Sequence, residues 1–308
     1  MAIKESKLIW MNGELIPWAN ATTHVLSHAL HYGTGVFEGI RVYDTPNGPM
    51  GFRLHEHMNR MKDSARIYKM KFDYSTEELV QGVVDTVREN GLKNAYVRPL
   101  AYFGYKSIGV IPEPETPVDF IIAAFEWGSY LGEEGLAKGV DVCMSSWNRV
   151  APNTIPAAAK ASGNYLSSYL IGSEAKSRGY HEGLALGTDG KLSEGAGENV
   201  FVVRDGKILT PPASSSIMLG ITRDTVFQFC KNLGIEIVEQ SISRELLYIA
   251  DEMFLSGTAA EITPVRSVDD IQMKLDTPGP ITRQISDAFF GLFNGSTEDK
   301  HGWLTPIN

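Results

Sequence analysis

The chain has 308 residues, 43% of them hydrophobic and 21% charged, with 28 Lys and Arg against 37 Asp and Glu for a net charge of −9. These values exclude a disordered or fibrous protein, and without a basic cluster they argue against a nucleic-acid or anionic-membrane surface, leaving small molecules as the expected partners. Cys143 and Cys230 are the only cysteines, which excludes a disulfide framework or zinc ribbon and points to a reducing compartment, by default the cytoplasm. The length predicts roughly two domains of about 150 residues each. The first residues carry no apolar signal region and no run of about 18 apolar residues follows, so neither export nor a membrane span is expected.

In chain order, 8–18 reads as a hairpin about the turn Asn12-Gly13. Leu54, Met58, Met61, Ala65 and Tyr68 recur at helical spacing and predict a helix over 54–68, its cationic residues on the other face. Ser75-Thr76-Glu77-Glu78 is a capping box that starts a second helix through Leu79, Val83, Val84 and Val87, and Asn90-Gly91 stops it. Strands follow at 95–103 and 118–127. Tyr130-Leu131-Gly132 and Glu133-Glu134-Gly135 read as a joint, giving an N-terminal domain at 1–130, a linker at 131–139 and a C-terminal domain at 140–308. The latter holds a strand at 142–147, a helix at 164–176, strands at 183–187, 199–203 and 207–209, a helix at 220–233, strands at 235–239 and 252–255, and a closing helix at 282–293. No internal repeat is present.

Several motifs are incomplete. In His55-Glu56-His57-Met58-Asn59 an asparagine replaces the second histidine of a zinc helix. His24, His28 and His31 share a helical face without a Cys, Asp or Glu nearby, which suits core or capping histidines, and no metal is expected. Gly33-Thr34-Gly35 and Gly195-Ala196-Gly197 each begin a dinucleotide-binding pattern, but Glu38 and Val200 stand where its third glycine belongs. No nucleophile elbow or P-loop occurs.

One constellation is complete. Lys160 lies among small residues in Ile155-Pro156-Ala157-Ala158-Ala159-Lys160-Ala161-Ser162-Gly163-Asn164-Tyr165, and a lysine amine away from carboxylates is a nucleophile toward carbonyls once buried. A pyridoxal phosphate held by a lysine needs an acid at the ring nitrogen, donors for the phosphate and a wall for the ring. Glu194, in the glycine-rich turn Leu192 to Asn199, supplies the acid. Gly220-Ile221-Thr222 opens a helix and forms a phosphate cup, Ser256-Gly257-Thr258-Ala259-Ala260 forms a second, and Arg60 supplies a cation. Taken singly, these segments also read as a solvated lysine, a polar hairpin turn, an ordinary helix cap and a surface arginine.

Together with Phe37-Glu38-Gly39-Ile40-Arg41, Arg53 to Arg60, Tyr96-Val97-Arg98-Pro99, Pro211-Pro212, Gly220-Ile221-Thr222-Arg223 and Ser256 to Ile262, the pattern closely resembles the branched-chain amino acid aminotransferases of fold class IV, over nearly the whole chain. The resemblance implies an α+β architecture: a smaller N-terminal α+β domain and a larger strand-rich C-terminal domain with helices, with cofactor and substrate in the cleft between them. It also implies a homodimer at least, often a hexamer.

By that resemblance Lys160 is the Schiff-base lysine and the base that moves the proton between Cα and the cofactor. Glu194 pairs with the pyridine nitrogen, Tyr165 with the ring hydroxyl, and Arg60, Ile221, Thr222 and Thr258 with the phosphate, while Leu219 packs on the ring. Phe37, Gly39, Trp127, Tyr130 and Tyr165 line the side-chain pocket, with Tyr32 and Val110 coming from the partner subunit. Tyr96 and the N–H groups of Thr258 and Ala259 take the α-carboxylate, and Arg98 takes the distal carboxylate of glutamate. The implied reaction moves the amino group between leucine, isoleucine or valine and 2-oxoglutarate, giving the branched-chain 2-oxo acids and glutamate, a step of branched-chain amino acid biosynthesis. D-amino acid aminotransferases and aminodeoxychorismate lyases are the rivals within the class, and Tyr96-Val97-Arg98 favours the branched-chain enzymes. A non-catalytic pyridoxal-phosphate carrier has no use for the aromatic substrate pocket.

Overall fold

The computed structural model describes residues 3–128 and 132–307. The chain divides into two compact units, one of Met1–Gly128, Ala159–Gly163 and Phe293–Asn308, the other of Ser129–Ala158 and Asn164–Leu292. This differs from the contiguous division expected, in which everything after residue 140 formed the second domain.

The first unit is built on an eight-stranded antiparallel sheet in the order Leu304–Pro306, Gly48–Phe52, Ile40–Thr45, Ala95–Phe103, Val118–Glu126, Leu8–Met11 and Glu14–Pro17, with Gly35–Phe37 also paired to Ala95–Phe103. The two long central strands pair from Ala95 opposite Glu126 to Phe103 opposite Val118. Helices Leu54–Ile67 and Thr76–Glu89 supply much of the core through Leu54, Met58, Met61, Leu79, Val83 and Val87. The capping box forms as the sequence predicts: Ser75 Oγ accepts the Glu78 N–H at 3.1 Å and Glu78 Oε2 accepts the Ser75 N–H at 2.7 Å.

Two later segments belong to this unit for packing reasons. Ala159 and Ala161, on either side of Lys160, bury in its core, and Ala161 forms an antiparallel bridge with Val36. Phe293 stacks on Tyr43 with ring centroids 3.5 Å apart, and strand Leu304–Pro306 adds to the sheet edge at Gly48–Phe52.

Helix Leu54–Ile67 also buries two polar side chains, His57 and Ser64. Its cations do not all face away, as the spacing had predicted: Arg60 is 15% exposed, and its Nε and Nη2 donate to the two oxygens of fully buried Glu38 at 2.6 and 2.8 Å. His57 Nδ1 lies 2.7 Å from Glu38 Oε2. Burial holds the imidazole below its usual range despite the neighbouring carboxylate, so His57 is the neutral donor and Arg60 the cation. Against the opposing effect of burial, these partners hold the Glu38 carboxyl well below the usual carboxylate range.

The second unit carries a nine-stranded mixed sheet in the order Leu192–Gly195, Glu182–Leu186, Val140–Met144, Glu261–Val268, Glu252–Gly257, Asn199–Arg204, Lys207–Thr210 and Ile237–Glu239, with Ile271–Gln272 on Glu261–Val268. Val140–Met144 runs parallel to both its neighbours. Its core gathers Val142, Leu184, Val200, Val202, Met253, Leu255 and Val265. The expected linker is mostly a helix, Gly132–Lys138, seated on strand Glu261–Val268, while the rest of the joint, Tyr130 and Leu131, lies outside the described residues. Among the described residues no helix is long and apolar enough to cross a membrane.

The Glu38 cluster sets a pH dependence. His57, depressed below 6.5, is protonated in the unfolded chain before it is in the folded one, so its contribution is present above pH 6.5 and is lost as pH falls from there toward its folded value. Glu38, depressed below 4.5, adds a further loss only below that pH. His57→Asn keeps a donor for Glu38 without titrating. The urea midpoint of the wild type should therefore fall between pH 6.5 and 4.5 more steeply than that of the variant. Equal slopes would show that His57 is not a titrating element of this core.

Candidate active site

In the first unit the peptide of Lys160 is fixed on both sides. Its N–H donates to Ser64 Oγ at 3.0 Å, and its C=O accepts the Phe37 N–H at 2.9 Å. The side chain is 9% exposed, and Nζ lies 5.0 Å from the centre of the Phe37 ring. Ser64 and Arg60 are one helical turn apart, so a single helix braces the lysine and carries the Glu38-bound cation.

The same ring meets the expected substrate residues. Arg98 Cζ is 4.8 Å from the centre of Phe37 and 5.2 Å from that of Tyr96, and Arg98 Nη2 donates to Tyr96 Oη at 3.3 Å. Tyr96 and Trp127 are in ring contact at 5.1 Å. Gly39 is required there, because a Cβ at that position would stand 2.0 Å from Tyr96 Oη. Arg98 Nε and Trp127 Nε1 are buried with no hydrogen-bond partner among the described residues. Unsatisfied buried donors cost about 1–3 kcal/mol each, and they sit beside aromatic faces, as suits a ligand with both an anionic and an apolar part.

Tyr32 and Val110 come together elsewhere on this unit. Tyr32 Oη donates to Ile108 O at 2.7 Å, and buried His28 contacts Gly109 O at 2.9 Å and Val110 O at 3.2 Å. Their surroundings are apolar and open: Val110 is 74% exposed, near exposed Ile108 and Ile111. His28 is thus a core histidine, as its spacing suggested, and His57 of the incomplete zinc motif is bonded to Glu38.

In the second unit, Glu194 and Asn199, at the two ends of one turn, both hold Met218, two residues before Gly220. Glu194 Oε2 accepts the Met218 N–H at 3.0 Å, and Asn199 Nδ2 donates to Met218 O at 2.9 Å. The acid expected at the ring nitrogen is thereby set at a fixed distance from Gly220-Ile221-Thr222, the expected phosphate cup. A Cβ on Gly220 would lie 2.3 Å from Asn199 Oδ1, so only glycine fits. Gly220 is the N-cap of helix Ile221–Leu233 and brings no side chain to cap it; Thr222 is buried in the first turn. Asn199 pairs across the sheet with Ser256, whose Oγ is buried without a hydrogen-bond partner among the described residues. A helix start whose N-cap is a glycine, a hydroxyl without a partner among the described residues and the part-buried Thr258 and Ala259 fit a phosphate and a carboxylate. Tyr165 begins helix Tyr165–Ser177 and is part-buried, whereas Leu219 is 51% exposed. Tyr130 lies outside the described residues.

The sequence reading missed Arg149, whose Nη2 lies 2.6 Å from Glu194 Oε1 with both side chains buried. It stands alone in Trp147-Asn148-Arg149-Val150, and no spacing marks it. Ser64 and Asn199 were missed because their partners are backbone atoms.

These residues fit a pyridoxal phosphate, and comparison with known proteins agrees. The model of the amino-transferase class IV family matches residues 35–268. The branched-chain-amino-acid aminotransferase of Salmonella typhimurium is 58% identical over 308 residues, all of both chains. The crystal structure of the Escherichia coli branched-chain amino acid aminotransferase superposes with a TM-score of 0.97 at 57% identity, over 99% of this chain and 100% of that one. Structures of the T.th. branched-chain amino acid aminotransferase, complexed with N-(5'-phosphopyridoxyl)-L-glutamate or with 4-methylvaleric acid, superpose with TM-scores of 0.93 and 0.92, each at 43% identity and 99% coverage of both chains. The chain therefore belongs to the class IV aminotransferases and, within them, to the branched-chain amino acid aminotransferases, which are pyridoxal-phosphate-dependent transferases.

Proposed function

We propose that this chain moves the amino group between leucine, isoleucine or valine and 2-oxoglutarate, with the cofactor bound to Lys160. The observation that carries the choice of substrates is Arg98, a part-buried guanidinium whose buried Nε has no hydrogen-bond partner among the described residues, set against the faces of Phe37 and Tyr96. The aromatic faces suit a branched aliphatic side chain, and the donor edge suits the distal carboxylate of glutamate. The T.th. relative, complexed with a glutamate adduct in one structure and 4-methylvaleric acid in another, supports such a dual pocket.

When bound, the cofactor supplies the electron sink for the carbanion at Cα. Lys160 Nζ would carry it and would be the base that moves the proton at Cα. Ser64 and Phe37 hold the lysine backbone still while Nζ moves. Glu194 would pair with the ring nitrogen and Tyr165 with the ring hydroxyl. Ile221, Thr222 and Thr258 take the phosphate with Arg60, two of whose donors are held by Glu38, while Leu219 packs on the ring. Tyr96 and the N–H groups of Thr258 and Ala259 take the α-carboxylate. Gly39, Trp127 and Tyr130 complete the pocket. A second copy of the chain covers the exposed patch around Tyr32 and Val110 and brings those residues to its neighbour's pocket, making a homodimer or a larger assembly such as a hexamer. A cytoplasmic location follows from the free cysteines.

Lys160→Ala should abolish transamination of leucine while the circular dichroism spectrum stays that of the wild type, and borohydride should fix the cofactor to the Lys160 peptide of the wild type alone. Labelling of another peptide would remove Lys160 from this role.

Arg98→Ala should cost about 1.5–3 kcal/mol, the range for a charge-assisted hydrogen bond, or roughly 10- to 150-fold in kcat/KM with glutamate and 2-oxoglutarate. Leucine should suffer far less. Single-turnover rates on both substrates, with a melting curve of the same variant, decide the matter: an equal loss on both would make Arg98 a structural brace.

A further inference from the structure

Arg149 follows strand Val140–Met144 and is 8% exposed. Its backbone N–H donates to Leu186 O at 2.8 Å and its Nη1 to Ser168 Oγ at 3.3 Å, on helix Tyr165–Ser177. So anchored, it places Nη2 2.6 Å from Glu194 Oε1, while Glu194 Oε2 accepts the Met218 N–H. Orienting Glu194 alone does not call for an ion pair, since a neutral glutamine would accept the same N–H. A buried arginine brings a desolvation cost that only an ionised partner offsets.

We infer that Arg149 is a positioning residue that fixes Glu194 and keeps it ionised, so that the proton between this carboxylate and the cofactor's ring nitrogen resides on nitrogen. The inference rests on the reading of Glu194 as the ring-nitrogen partner. The proton has two resting places: nitrogen, with the carboxylate anionic, or the carboxyl, with both groups neutral. Moving it to nitrogen carries positive charge away from the guanidinium, so a cation in contact with the carboxylate favours the first arrangement. An adjacent arginine typically changes the ratio of ionised to neutral carboxyl by roughly 10- to 1,000-fold. In its absence, burial drives the same carboxyl toward the neutral form, and the ring loses the charge that makes it an electron sink.

The test uses the holoenzyme reconstituted with cofactor carrying ¹⁵N in the ring, comparing wild type, Glu194→Gln, Arg149→Met and Arg149→Lys at one neutral pH by ¹⁵N NMR. The wild type should give a pyridinium signal, and Arg149→Met should move toward the neutral-pyridine range together with Glu194→Gln. Arg149→Lys, which keeps the charge, should stay near the wild type. Turnover with leucine should fall in kcat for Arg149→Met by the same factor as the pyridinium fraction read from the ¹⁵N signal, and recover in Arg149→Lys. A pyridinium signal in Arg149→Met beside a neutral one in Glu194→Gln overturns the role of Arg149 and leaves Glu194 in place. A pyridinium signal in Glu194→Gln overturns the reading of Glu194 itself. A neutral ring in Arg149→Lys overturns the argument from charge. Should Arg149→Met fail to fold, Arg149→Gln, also neutral and closer in length, carries the same comparison.

Discussion

The lysine proposed to carry the cofactor must keep its amine mobile on a backbone that cannot shift, and the first unit holds the Lys160 backbone in that way. The Lys160 peptide gives its N–H to a helix side chain and its C=O to a strand N–H, and its flanking alanines are buried. Such a strip runs against strand Gly35–Phe37 only if the neighbouring strand presents little side chain. A Cβ on Gly35 would already stand 3.0 Å from Ser162 Oγ, and Gly33 ends helix His28–Tyr32 at a φ of 66°, which explains both glycines of Gly33-Thr34-Gly35 without any nucleotide. The helix that holds the lysine through Ser64 is itself tied to the sheet by the Glu38 cluster.

The second unit meets a different constraint. The acid and the phosphate cup proposed here are useful only at a fixed separation, and Met218, just before Gly220, is held at its N–H by Glu194 and at its carbonyl by Asn199. Two strand-borne side chains thus define the start of a helix. Side-chain capping has no part in this, because the N-cap is a glycine.

Much of the element pattern was legible because its physics is local. The spacing over 54–68 and the capping box at Ser75 depend on residues three or four apart, and both helices formed within a residue or two of expectation. The strands Ile40–Thr45, Gly48–Phe52 and Glu261–Val268 were missed because their patterns are interrupted by Arg41, Gly48, Pro49 and Arg266, whose fit depends on distant partners: Arg41 Nη1 donates to Gly128 O, and Arg266 pairs with Asp141. The unit boundary was missed for the same reason, since nothing local to the lysine stretch reveals that it is held by Val36, Phe37 and Ser64, far earlier in the chain. At the site, motif residues were legible and their supports were not. Lys160 and Glu194 stand in recognisable runs, whereas Ser64, Asn199 and Arg149 act through backbone atoms or a single distant carboxylate.

The dual use proposed for one pocket follows from the shape of a guanidinium. Its faces are weakly hydrated and stack on aromatic rings, and its edge carries donors in a fixed fork. Packed against Phe37 and Tyr96, Arg98 contributes to an apolar wall while its Nε finds no partner among the described residues. A leucine side chain gains burial against the rings and leaves the donor as it was. A glutamate side chain gains less burial and satisfies the donor. An ammonium on a flexible stem is strongly hydrated and offers no such face, so a lysine at this position would favour the acidic substrate at the expense of the aliphatic ones.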